Sequence, residues 1–272
     1  MSWPVFFGRR GLLEQAIVLA IGILALPKAV HAYRPFDGTD ADVLETGEFE
    51  LELGPTHLYR EGGADFLIAP AVVLNFGVAQ RLELVADFKN FVSLHEPEAG
   101  HRVRVRDTDV LAKILLRRGA LQGGQGGQGS RGPSVAIEAG VLLPETGESS
   151  GLGAQADTIV SFAGDTVAVH LNESIADNRA HCLEFFSGAI VEVGRTMPIR
   201  PVAEAFVDHV VHGASEYSGL VGAVWRYRDG VAVDLGGRAA RADGIAIWEV
   251  RLGFTLGAPL WRVGGKRMVS GE

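Results

Sequence analysis

Near the end of the chain Trp248, Val250, Leu252, Phe254 and Leu256 alternate with Glu249, Arg251, Gly253 and Thr255. A period of two places the large apolar side chains on one face of an extended strand and the polar ones on the other. The pattern recurs with Phe49, Leu51 and Leu53 against Glu48, Glu50 and Glu52, and with Leu82, Leu84, Ala86 and Phe88 against Glu83, Asp87 and Lys89. It returns with Val110, Ala112, Ile114 and Leu116 against Asp109, Lys113 and Arg117, and with Val231, Val233 and Leu235 against Asp234. Further runs at 65–76, 134–143, 154–163, 166–174, 183–194, 201–207 and 217–227 bring the predicted strands to twelve. After residue 32 no uncharged stretch reaches 18 residues, so no membrane-spanning helix is predicted.

The first 32 residues read differently. Arg9 and Arg10 precede an apolar run from Ala16 to Leu26, Pro27 breaks it, and Val30 and Ala32 occupy the small-residue positions of a cleavage site. This is the pattern of a secretory signal peptide, 1–32. The remaining 240 residues divide among twelve strands at 20 residues per strand and connection, which suits strands of about ten residues crossing a bilayer obliquely. The expectation is an all-β protein, an antiparallel up-and-down transmembrane β-barrel over 33–256, followed by a tail, 257–272. A soluble β-sandwich is the alternative.

Connection lengths favour the barrel. With the chain starting on the periplasmic side, the even connections include 77–80, 164–165 and 228–230, all compatible with tight turns. The odd ones, 91–106, 144–153, 175–182, 208–216 and 239–247, are longer and polar, the asymmetry of outer-membrane barrels. One even connection breaks the rhythm. Residues 118–133 carry Gly123-Gly124-Gln125-Gly126-Gly127-Gln128-Gly129 and read as a flexible insertion.

Composition narrows the chemistry. The net charge of −8, falling to −10 once the signal peptide's net +2 is removed, argues against a nucleic-acid partner. The single cysteine, Cys182, builds neither an internal disulfide nor a cysteine-rich metal site. Asp208, His209 and His212 lack a fourth ligand, so no metal site is expected. His170, Asn172 and Ser174 invite comparison with a lipid-cleaving serine site, but four residues along a strand is about 13 Å, too far for proton transfer. The glycines lie in strands and turns rather than between a strand and a helix, so no phosphate-binding loop and no cofactor is expected; with candidate chemistry this sparse, no enzyme activity is expected either.

The informative set is the inward charge: Glu83, Asp87, Lys89, Asp109, Lys113, Arg117, Glu138, Glu204, Arg226, Asp234, Glu249 and Arg251 all fall on polar strand faces. They are the candidates for lining a lumen. Two roles stay open for them: pairing across strands to stabilise the barrel, or setting the selectivity of a solute path.

The stretches Arg34-Pro35-Phe36, Thr39-Asp40-Ala41-Asp42-Val43 and Gly47-Glu48-Phe49-Glu50-Leu51-Glu52-Leu53-Gly54 resemble the MetA-pathway phenol-degradation family of outer-membrane transporters. So do Gly153-Ala154-Gln155-Ala156, Phe185-Phe186-Ser187-Gly188-Ala189, Val202-Ala203-Glu204-Ala205-Phe206 and Val231-Ala232-Val233-Asp234-Leu235-Gly236. The resemblance covers most of 34–256 and implies a bacterial outer-membrane barrel that passes small solutes, hydrophobic or aromatic ones among them. Its expected partners are outer-membrane lipid, the solute and the insertion machinery. A non-conducting structural or assembly barrel and a lipid-modifying barrel enzyme are the alternatives. The Gly/Gln insertion and the tail depart from the family pattern, and Phe254 is the nearest substitute for the terminal aromatic on which many such barrels end.

Overall fold

The computed structural model describes residues 34–95, 102–125, 131–146 and 150–260. The expected signal peptide lies outside them, as do the centre of the Gly/Gln insertion and the chain beyond 260. Twelve strands run through the described residues: β1 Glu48–Glu61, β2 Ala64–Ala79, β3 Leu82–Ser93, β4 Val103–Arg117, β5 Ser134–Leu142 and β6 Gly153–Ala163, then β7 Val167–Asp177, β8 Leu183–Val193, β9 Ile199–Val210, β10 Ser215–Arg228, β11 Val231–Ala242 and β12 Ile245–Pro259. Each pairs antiparallel with its neighbours in sequence, and β1 pairs with β12, closing the sheet. Closure removes both sheet edges, so every strand has two partners for its backbone polar groups.

Alternation sorts the side chains as the pattern predicts. On the outside, Leu84, Val110, Ile114, Val221, Leu235, Val250 and Leu252 are exposed. Tyr217 and Trp248 stand near one rim, and Trp225 and Tyr227 near the other. An exposed apolar wall bounded by aromatic side chains is the outer surface of a barrel that sits in lipid. The inside is largely polar, with small clusters of buried apolar side chains, among them Val202, Val224 and Ala232 with Phe36, and Ala41 with Ala136 and Ile159.

The β1–β2 ladder breaks between Gly54↔Ala71 and His57↔Ile68, beside Pro55 and Pro70, which lack the N–H that a ladder needs. The connections differ from expectation. The stretches 208–216 and 239–247 were expected to be loops, but strands occupy most of both, leaving 211–214 and a two-residue turn, Asp243-Gly244. Polar residues such as His209 and Arg241 look like loop in the sequence because the barrel wall continues as paired hairpins past its apolar band. Gly77 lies within β2 and not in the turn assigned to it. The insertion is also less free than its composition suggests: Ala120–Gln125 form a 3-10 turn, Leu121 is buried, and Gln122 donates to Ala41 O at 3.2 Å and accepts from Ser134 Oγ at 2.7 Å. At the other end β12 continues to Pro259, three residues into the stretch read as tail.

Candidate functional site

Before entering β1 the chain passes through the inside of the barrel. Residues 34–47 are irregular and have no ladder to join, so their N–H groups must find other acceptors. The inner wall supplies them. Glu204 of β9 accepts from Asp37 N at 2.9 Å and Gly38 N at 2.7 Å, Asn172 of β7 from Thr39 N at 3.0 Å, Ser161 of β6 from Ala41 N at 2.9 Å, and Glu83 of β3 from Leu44 N at 2.6 Å. From β12, Arg251 donates to Pro35 O at 2.7 Å and to both Asp37 carboxylate oxygens at 3.0 Å. Lys113 of β4 donates to Thr39 Oγ1 at 2.9 Å. Arg34 sits 2.5 Å from His57 Nε2 and 3.6 Å from Asp234. These hydrogen bonds, several of them charge-assisted, hold the segment as a plug from seven strands, and Asp234 of β11 adds an ion pair.

Glycines make room for it. A Cβ at Gly253 would collide with Arg34 and the Asp234 carboxylate, one at Gly236 would meet Pro35 at 3.0 Å, and one at Gly77 would strike the backbone of Glu45. Gly77 therefore serves the exit of the plug, where Gly47 N donates to Gly77 O at 2.7 Å.

Of the twelve candidates, Glu83, Lys113, Glu204, Asp234 and Arg251 touch the plug, and Glu249 holds Arg251 at 2.8 Å and His57 at 3.3 Å. Glu138 faces Lys113 across the β4–β5 ladder, and Glu83 faces it across β3–β4. Higher on the wall, Lys89 pairs with Asp107 at 2.9 Å, Asp109 with Arg179 at 2.5 Å, and Asp87 stands opposite Asp109. Two candidates lie apart. Arg117 follows a register shift at the strand end, is exposed, and donates to Pro133 O and Arg131 O; Arg226 donates to Arg195 O at 2.9 Å. Both are near one mouth of the barrel, Arg117 past the shift, where alternation no longer decides direction, and Arg226 still on the inward face.

Other inner-wall residues stand outside the twelve candidates. Glu52 accepts from Asn75 at 3.1 Å, and Arg238 bonds Ser218 at 2.9 Å and Glu216. The serine that His170 meets is Ser161, directly opposite on β6, at 2.8 Å, and Glu192 lies 3.3 Å from the other ring nitrogen. Ser161 Oγ already takes the Ala41 N–H, so it braces the plug. Ser174 is on the same strand as His170, as its spacing implied. Asp208 and His209 point to opposite faces of β9 and His212 lies in the turn beyond; among the described residues no group of three or more metal-ligating side chains forms. Toward the rim of the longer loops the inner wall carries rings: Tyr59, Phe66 and Phe91 have centroids 5.9–6.3 Å apart, with Arg106 over Phe91 at 5.4 Å. Across the lumen Phe186 and Phe206 pair at 5.0 Å, with Arg238 over Phe206 at 5.4 Å.

Known proteins share this architecture. An outer membrane channel of the COG4313 group from Pseudomonas putida F1 superposes with a TM-score of 0.55 at 12% identity, covering 82% of this chain and 100% of that one. The KdgM porin superposes at 0.51 with 9% identity, covering 76% and 98%. The likeness is one of fold. No protein-family model matches the sequence, and no curated protein matches it significantly.

Proposed function

We propose that the protein is a bacterial outer-membrane channel for small solutes, hydrophobic and aromatic ones among them, kept closed at rest by residues 34–47. The plug carries this reading. A lumen whose inner-wall acids and bases are engaged by an irregular stretch of the same chain that belongs to no strand suits a passage held shut, whereas a barrel needing only internal support could fill itself with side chains from its strands. The apolar outer wall supports the membrane location, and the rings above the plug offer flat apolar surface to an entering solute. The family resemblance of 34–54 points the same way.

The test is conductance in a planar bilayer with and without residues 34–44. The full chain is expected to give small, infrequent steps, and the shortened chain larger and steadier ones. If the shortened barrel folds and stays silent, the transport reading falls and a non-conducting structural barrel takes its place. That second reading draws on the same filled lumen.

A further inference from the structure

The described arginines divide by whether a carboxylate answers them. In the lumen and toward the longer loops, Arg60, Arg106, Arg179, Arg238 and Arg251 each pair with a carboxylate, and inside the other mouth Arg200 pairs with Glu192. At that mouth, where the chain enters β1, Arg81, Arg117, Arg118 and Arg131 are exposed, and none has a carboxylate within ion-pair distance among the described residues. Their described hydrogen bonds run to backbone carbonyls. Arg81 donates to Leu116 O at 3.3 Å and Arg118 to Gln80 O at 2.8 Å, tying the β2–β3 turn to the end of β4; Arg117 donates to Pro133 O at 2.5 Å and Arg131 O at 3.0 Å. Each guanidinium has five N–H donors, so one or two such bonds leave donors over and the charge unneutralised.

The surroundings say what completes them. Arg118 is exposed and follows β4 directly, two residues after Leu116; Ile114 and Leu116 are 45% and 50% exposed, and Leu84 on the neighbouring strand is 45% exposed. Unpaired guanidinium groups lie at the lower edge of the apolar wall, with exposed aliphatic surface directly above. We propose that Arg81 and Arg118, with Arg117 and Arg131 beside them, bind the phosphate of an anionic phospholipid in the leaflet at this end of the barrel, its acyl chains lying on Leu84, Ile114 and Leu116. Guanidinium suits phosphate because its planar fork makes paired N–H···O bonds and it sheds water readily. The aliphatic surface selects a diacyl lipid over free phosphate.

This inference rests on the membrane-barrel reading, and its test separates the two. Protein folded in zwitterionic detergent is titrated with phosphatidylglycerol, phosphatidylcholine or inorganic phosphate, and retained lipid is counted by native mass spectrometry. Phosphatidylglycerol is expected to be retained at least about tenfold more tightly than phosphatidylcholine, given the attraction each basic residue has for an anionic leaflet. The Arg81→Gln/Arg118→Gln double variant should lose that preference. Arg81→Lys/Arg118→Lys, which keeps the charge but not the fork, should retain part of it and so separates lipid binding from the bracing of the turns. Equal retention of the two lipids by the native protein, or a preference that survives the double Gln variant, overturns the site. Displacement of phosphatidylglycerol by millimolar phosphate overturns the lipid assignment. A native chain without the heat-dependent gel shift of a closed barrel overturns the membrane reading and this site together, whereas a normal shift without lipid preference overturns the site alone.

Discussion

Leu252 and Thr255 lie three residues apart on β12 and point to opposite sides, as their alternation predicts. Arg at Leu252 puts a charge into the lipid-facing wall and is expected to cost roughly 2–4 kcal/mol. From sequence alone Arg at Thr255 looks mild, because an open lumen would hydrate it. The filled lumen reverses that: Thr255 is wholly buried and stands opposite Glu52. A tolerant inward position is Gln155, half-buried near the far end of β6. Urea unfolding from liposomes should rank Leu252→Arg and Thr255→Arg together as damaging and Gln155→Arg within about 1 kcal/mol of the native protein. Equal damage at all three would show that the faces are misassigned. Which way a side chain points was legible because the period of a strand is local. What it meets was not, because Glu204 and Gly38 are 166 positions apart and no local pattern connects them.

At the scale of elements, strand number and order were legible, and turns less so. A polar hairpin continuing past the lipid has the composition of a loop, so Asp243-Gly244 was hidden inside a longer expected connection. Gly244 has φ +86 and open space around it, so a side chain there meets a backbone penalty and no clash. Gly244→Ala is expected to cost about 1–2 kcal/mol. Gly237 also has open space but no positive φ, and Gly237→Ala should be close to neutral. Similar losses at both, measured by the same unfolding experiment, would mean that turn conformation is not what Gly244 supplies. The plug is the element that sequence could not disclose. Residues 34–47 have no periodicity, so nothing in their pattern says whether they lie inside the barrel or outside it. The plug's trace lies in the barrel instead, in glycines placed on inner faces of strands where a side chain would ordinarily fill space. Gly253→Val removes one such place. It should dislodge Arg34 and raise conductance while leaving the heat-dependent gel shift intact; unchanged conductance would show that the plug does not depend on this cradle.

At the scale of the whole molecule, the sign of the lumen sets what an opened barrel would pass. The sequence-derived set has seven acids and five bases, which suggests only a weak preference for cations. The structure moves that balance. Glu50, Glu52, Asp157, Glu192, Asp208 and Glu216 also lie on inward positions, Arg200 and Arg238 add two cations, and Arg117 leaves the set for the mouth. The plug contributes Arg34 as well as Asp37 and Asp40, so removing it leaves a wall in which carboxylates clearly outnumber bases. Carboxylate-lined pores draw cations in by the field they project into the lumen, and the attraction fades as salt screens it over roughly 10 Å at 0.1 M. The barrel lacking 34–44 is therefore expected to be cation-selective, more strongly at low salt than at 1 M, with a reversal potential of the corresponding sign under a KCl gradient. Asp87→Asn/Asp109→Asn, at two facing carboxylates on the wall above the plug, should weaken that selectivity without closing the pore. An anion-selective pore would show that permeating ions take a route these inward carboxylates do not line.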